Sequence, residues 1–282
     1  MSNVNSLSPS EFPGRMDPEP ALRQAPQVSD RAARVILAID RTVLNISRHW
    51  LLYTNLFLGV LVLAPFAAPV LMAIGATGPA RLIYLIYGLI CHQLPQRSYF
   101  LFGPKISYSL AEIGRVWNYD GMFSLRAFVG NSAMGWKVAW SDRMISLYGG
   151  VWLAGLLYGL LRGRLPRLVP SVWLFFGFTP LAADGLSHVI NDALAGLTGT
   201  GFRDTNAWLQ FLTGNILPAG FYAGDALGSF NSLMRLVTGL SFAILSVWFI
   251  YPIVDRSLQD LQRQAGARLA SPRAARLGVA AA

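Results

Sequence analysis

Four polar clusters interrupt an otherwise apolar chain: Cys91-His92-Gln93, Ser141-Asp142-Arg143, Asp184 to His188, and Asn231 to Arg235. Each falls at the same end of an expected membrane helix, so the fold should gather them into one polar patch. Ionisable groups at the edge of hydrocarbon are costly, and a set of them implies either a site or ion pairs that lock helices together. Thiol, imidazole, carboxylate and guanidinium side chains offer three chemistries here: metal ligation, exchange of a proton or cation at a carboxylate, and capture of an anion.

Asp184 lies late in the expected fourth helix, where a carboxylate either takes up a proton or finds a cation. Arg235, at the start of the expected fifth helix, reaches the same depth if the two helices are antiparallel. A structural Asp184–Arg235 pair is therefore the favoured expectation, ahead of a proton or cation site. Arg97 and Arg143, with Ser98, Ser141 and Tyr148 nearby, could hold a phosphate or carboxylate through forked contacts, although interfacial anchoring is the plainer role for arginine at helix ends.

His92 and His188 are expected as hydrogen-bonded interfacial residues. Asp184 and His188 stand four apart on one helix face, so a residual metal site with Cys91 or His92 is the alternative. The single cysteine rules out an intrachain disulfide framework and a multi-cysteine metal site. Neighbours on a helix point about 100° apart, which weighs against Cys91 and His92 as a nucleophile–base pair. A serine nucleophile elbow, a phosphate-binding glycine loop and a His-Glu-x-x-His pattern are all missing from the sequence. The candidate cluster is thus Cys91, His92, Arg97, Asp142, Arg143, Tyr148, Asp184, His188, Asn231 and Arg235, with no catalytic residue, metal or cofactor expected.

The elements that must position these residues follow from composition. At 54% hydrophobic, 13% charged and mean hydropathy +0.44, the chain is far from a soluble domain of its length. It reads as an all-α, multi-pass transmembrane helical bundle in a bacterial plasma membrane. A span needs about 20 mostly apolar residues, and five segments are available: Trp50 to Ile74, Ile83 to Leu94, Ile145 to Leu161, Leu168 to Ile190 and Ser232 to Ile253. Gly155 and Gly159, four apart on the third, fit close helix packing.

Residues 1–28 are rich in proline and read as a disordered tail; residues 29–49 read as an interfacial amphipathic helix with arginines on one face. Residues 50–254 form the transmembrane domain and 255–282 a basic cytoplasmic tail. Two long connections, Pro95 to Asp142 and Asn191 to Asn231, are expected to be structured and to pack as an aromatic cap, with Asp204 or Thr205 capping a short helix through Ala207 to Leu212. The net charge of +9 belongs to topology and lipid headgroups, not nucleic acid. The short loop Arg162 to Arg167 and the basic tail place the cluster outside, whereas the arginine-rich first helix also asks for the cytoplasm. Five crossings cannot satisfy all three, unless Pro65 and Pro69 break the first segment into a re-entrant pair.

The run Cys91-His92-Gln93-Leu94-Pro95-Gln96-Arg97-Ser98-Tyr99-Phe100 resembles the Cys-His-x-x-Pro-x-Arg-Ser-Phe-Phe signature of a prokaryotic membrane family catalogued as domain of unknown function twenty eighty-five. The resemblance extends to about Pro252. It includes Pro180 to His188, similar to Pro-x-x-x-Asp-Gly-x-x-Gln, and Asn231 to Gly239, similar to Asn-x-x-x-Arg-x-x-Thr-Gly. Where that family has Cys-x-Arg-Cys, this chain has Ser141-Asp142-Arg143-Met144. The resemblance implies a fold and a motif set without an activity. The expected role is a non-catalytic membrane component that assembles with other membrane proteins or binds lipid or another ligand; a membrane enzyme or small-solute carrier is the alternative.

Overall fold

The computed structural model describes residues 29–196 and 199–277; the expected disordered tail 1–28 lies outside the described residues. In chain order it contains α1 (Asp30–Ala73), α2 (Thr77–Tyr87), a tight 3-10 turn at Pro95–Arg97, β1 (Ser98–Leu101), α3 (Leu110–Gly114) and α4 (Met122–Ala127). Then follow β2 (Gly130–Asn131), β3 (Gly135–Ser141), α5 (Asp142–Leu161), α6 (Pro170–Val172), a π-helical stretch Trp173–Phe178 and α7 (Thr179–Ala195). The remainder is α8 (Phe202–Thr205), α9 (Ala207–Leu212), α10 (Ala219–Tyr222), α11 (Phe230–Leu269) and α12 (Pro272–Arg276). The chain is thus mostly helical, and among the described residues α1, α5 and α11 are long and apolar enough to cross a membrane.

Among the described residues two compact units are present, Val43–Gln264 and the pairing of 29–42 with 265–277. In the smaller unit Ala33, Leu37, Leu269 and Ala274 are buried, and Arg268 reaches Asp40 at 3.2 Å. The larger unit carries everything that positions the candidate residues.

Several expectations change. The prolines Pro65 and Pro69 do not break the first segment, because α1 runs through both to Ala73; no re-entrant pair forms there. The expected second span, Ile83 to Leu94, is helical only to Tyr87. Gly88 leaves room for Arg126, whose Nη2 donates to the Gly88 carbonyl at 2.8 Å, and Gln93, in a left-handed conformation (φ 52°), turns back to donate to the Tyr84 carbonyl at 2.9 Å. Two side chains thereby occupy the end of α2, and the chain leaves the helix axis.

The fourth segment is helical from Pro170 to Ala195 but passes through a wide turn. Pro180 has no N–H for its helix bond and its ring crowds the carbonyl four residues back. The π turn relieves this: the Thr179 N–H and hydroxyl both donate to Leu174 O, five residues earlier. Ahead of it, Trp173 stacks on Phe249 (5.6 Å, 18°) and donates to Ser246 at 2.9 Å.

The connection Pro95 to Asp142 is structured, as expected, but includes a sheet. β3 lies between β1 and β2, antiparallel to both, with Phe100 opposite Lys137 and Gly130 opposite Trp136. Phe100, Tyr108 and Phe128 pack edge and face beneath it. In the second connection α9 forms over the expected residues, but neither Asp204 nor Thr205 caps it. Asn206 stands at its start with φ 43°, and Asp204 instead accepts from Gly201 N–H at 2.9 Å, closing the turn of α8.

At the far end, α1, α5 and α11 meet around Trp50, Tyr158, Val247 and Tyr251. Asp255 of α11 accepts from Trp50 at 3.1 Å and is ion-paired with Arg162 at the end of α5. Glycines permit this close approach. A Cβ at Gly155 would lie 2.8 Å from Asn55 of α1, and one at Gly159 would meet Leu51 at 3.4 Å, so the glycine pair does face a neighbouring helix. Gly150 is tighter still, with its missing Cβ 2.7 Å from the Ala243 Cβ.

Gly150→Val should therefore lower the unfolding free energy of the purified protein by about 1–3 kcal/mol, because α5 and α11 must separate. Gly159→Val, facing only a flexible leucine, should lower it less. Denaturation in mild detergent, followed by tryptophan fluorescence, tests the order of the two.

Candidate functional site

The four polar clusters do come together, at the shared end of α5, α7 and α11. Every carboxylate there is held by guanidinium groups. Arg235, 2% exposed, fastens its Nε and Nη2 to Asp142 at 2.8–2.9 Å and its Nη1 to Asp225 at 2.7 Å. Arg97 forks onto Asp192 at 2.9 and 3.1 Å and donates from Nε to Asp225 at 2.7 Å. Asp225 therefore bridges two arginines, and all three nitrogens of each guanidinium are in use. A second group centres on Asp184, which accepts from Arg143 and from Arg203, both at 2.6 Å. Arg203 also lies 3.1 Å from His188 Nε2, so Asp184 and His188 do share a face, turned toward Arg203.

The expected Asp184–Arg235 pair is a correction. Arg235 pairs with Asp142 and Asp225, while Asp184 pairs with Arg143 and Arg203. The two residues do belong to one cluster, but it is Asp142 at the start of α5 that meets Arg235. Among the described residues four arginines meet four aspartates, which leaves the network without net charge. Such neutralisation is what allows buried ions to persist, since an unpaired charge in low dielectric costs several kcal/mol.

The electrostatics of the two loop residues follow directly. Burial alone would lower the Arg97 guanidinium, but Asp225 and Asp192 outweigh it and hold it above its ordinary value. Burial would raise Asp225, yet Arg97 and Arg235 together pull it well below the usual carboxylate range. Both remain charged wherever the fold survives.

Against this network lies a cavity of about 490 Å³. Cys91, His92, Arg97, Asp142, Arg143, His188 and Arg235 all line it, joined by Leu94, Met122, Met144 and Val189. Asp184 stands behind the wall. Two expected residues serve elsewhere: Tyr148 stacks on Trp140 (5.1 Å, 24°), and Asn231 donates to the carbonyls of Arg203 and Gly224, pinning the second connection. Cys91 is buried, its thiol 3.6 Å from the Ser141 hydroxyl, and His92 is exposed. Among the described residues no three His, Cys, Asp or Glu side chains converge as a metal would need, and Asp184 and His188 are already engaged by Arg203.

Four contributors were missed, Asp192, Arg203, Asp225 and Lys137, while Gln93 belonged to a named polar cluster but not to the candidate residues. Asp192 carried a readable signal, since 184, 188 and 192 repeat at four-residue spacing on one face. Arg203 and Asp225 sit in connections without periodicity. Lys137 is fully buried on β3, donating to the carbonyls of Gln93 at 2.8 Å and Arg126 at 2.7 Å. Burial brings its ammonium from an ordinary 10.5 down to about 7, with nearby Cys91 opposing and Arg126 adding to the shift.

Fold and site together define a class: a mostly helical protein with three helices long and apolar enough to cross a membrane, closed at one end by a buried ion-pair network. The chain is 26% identical over 180 residues to an uncharacterized protein of Methanocaldococcus jannaschii, a match that covers 62% of this chain and 86% of that one. No family model matches the chain, and no solved structure matches it.

Two measurements probe the network. In double-mutant cycles Asp142→Asn with Arg235→Gln should show coupling of about 1–3 kcal/mol, whereas Asp184→Asn with Arg235→Gln should be close to additive. Coupling of the second pair as strong as the first would contradict the observed pairing. Lys137 gives a pH signature. Because its folded value lies below its unfolded one, the unfolded chain binds more protons between about 7 and 10.5, so stability should rise with pH across that window and be flat just below it. Lys137→Met should remove the rise in melting temperature.

Proposed function

We propose that this protein is a multi-pass integral membrane protein of the cell membrane that acts without catalysis, assembling with another membrane component or holding a lipid or other ligand. The observation that carries this reading is the closure of the network upon itself. Arg97, Arg235, Asp142, Asp184 and Asp225 are the groups that a carrier or enzyme would expose to substrate, and each is consumed by another side chain. What remains toward the cavity is part of Arg143, the exposed His92, the Cys91 thiol and an apolar wall.

The membrane arrangement we infer has four crossings, formed by α1, α5, the Pro170–Ala195 run and α11, with α2 as a half-length helix at the cluster end. The expected fifth crossing falls away because α2 is only 11 residues long, against the roughly 20 that a span requires. Four crossings also remove the conflict among the basic segments. Trp50 of α1 and Arg162 after α5 both donate to Asp255 of α11, so the start of the first span, the Arg162 to Arg167 loop and the end of the last span share one face. That face is the cytoplasmic one by the positive-inside rule, and the cluster lies outside. Kinship with the family catalogued as domain of unknown function twenty eighty-five, which the run Cys91 to Phe100 resembles, is part of the proposal.

A native mass spectrum of the purified protein tests the role. A stoichiometric lipid or protein partner supports it; a bare chain that moves a solute into liposomes, and stops doing so as Cys91→Ser, would establish the carrier instead. Topology is tested in a Cys91→Ser background with an impermeant thiol reagent on intact cells. Cysteine at the exposed Gly163 should be protected and cysteine at the exposed Ala219 should be labelled. The opposite pattern would invert the arrangement.

A further inference from the structure

Arg143 differs from Arg97 and Arg235, whose guanidinium nitrogens are all engaged, and from Arg203, which is buried and does not line the cavity. Its Nη2 is spent on Asp184, but among the described residues neither its Nε nor its Nη1 has an acceptor. Its side chain is 21% exposed and lines the cavity. The absence of a side chain at Gly185 makes room for it, since a Cβ there would stand 2.8 Å from Nη1. Half a guanidinium fork is thus presented to a space whose other walls include Leu94, Met122, Met144 and Val189. The carboxylates of Asp142 and Asp192 border the same space, but each already accepts a forked arginine, so they repel an anion less than free carboxylates would.

The apolar side of the cavity leads outward. Val189 lines it and is itself 62% exposed, and Leu186 and Leu194 on the same helix are exposed too, at 60% and 81%. The volume of about 490 Å³ falls within the range of small-molecule sites. A ligand that satisfies both ends must carry one anionic head and an alkyl or isoprenyl chain.

We propose that the cavity binds a single-headed anionic amphiphile, its phosphate or carboxylate on the free edge of Arg143 and its chain running past Val189 along α7. This rests on the ligand-binding reading above and names the ligand's class. His92, exposed at the same wall, lies where it can add a second donor.

The test uses the full chain in nanodiscs of phosphatidylcholine, titrated with hexadecyl phosphate, hexadecanol, hexadecyltrimethylammonium and inorganic phosphate, and read by native mass spectrometry and tryptophan fluorescence. Hexadecyl phosphate should bind once per chain and about tenfold more tightly than hexadecanol or the ammonium probe. Arg143→Gln should erase that advantage while leaving the hexadecanol response in place. Val189→Trp, at an exposed position that cannot disturb the network, should weaken binding of both chains. Equal binding of the three long-chain probes, or an advantage that survives Arg143→Gln, overturns the proposal, as does inorganic phosphate matching hexadecyl phosphate. If a neutral lipid co-purifies and hexadecyl phosphate does not bind, the head-group assignment fails while the broader reading stands; if nothing binds, both fail.

Discussion

Asp225 stands between the guanidiniums of Arg97 and Arg235, and the rest of the structure is arranged around the cost of burying those three charges. Remove the aspartate and two nearly buried cations face one another with one carboxylate each. Its own position is set by a connection with no helical period, so the second long segment has to be ordered. Asn206 and Asn231, both buried, do this, holding the carbonyls of Arg203, Tyr222 and Gly224 through their side-chain amides. A structured loop is therefore a requirement of the electrostatics, and its short helices α8 to α10 follow from that need.

The sheet answers a related constraint on the other side. With α2 ending at Tyr87, the polypeptide must descend from a helix end and re-enter α5 without leaving backbone groups bare. Gln93 donates at once to Tyr84 and Ala139, and Lys137 donates to Gln93, so one strand stitches the helix end to its own return path. A lysine in this place is costly to bury. It suits the site because backbone carbonyls, rather than a carboxylate, receive it, and these tolerate the neutral amine as well as the charged form.

The shared end of the helices was legible in the sequence because it needs only the position of a residue along an apolar run. Asp142, Asp184, His188 and Arg235 were placed at a common level from that alone, and they do meet. Lateral neighbours were not legible, since nothing in a one-dimensional pattern says whether Arg235 turns toward α7 or toward the first residue of α5. The same limit hid Asp225 and Arg203, which lie in connections where no period relates one residue to the next. Lys137 was hidden for another reason: a single charge in the strand Gly135 to Ser141 reads as an exposed position, and only the tertiary carbonyls around it make burial tolerable. The end of α2 was missed because its stop signal comes from Arg126 and Gln93, side chains distant from the helix in sequence or turned back upon it.

The wide turn at Trp173–Phe178 also fixes the azimuth of everything after it. An α-helix advances each residue by about 100°, so one extra residue accommodated in a π turn rotates the remainder of the helix by that angle relative to an uninterrupted one. Asp184, His188 and Asp192 lie beyond it on a single stripe, and that stripe faces Arg203 and Arg97 only with the rotation included. The segment Trp173–Phe178 is thus a phase element. Its length, more than the identity of its apolar side chains, is what the charged end of the molecule depends on, and an insertion or deletion there would turn the carboxylates of a neutral, self-paired network away from their arginines.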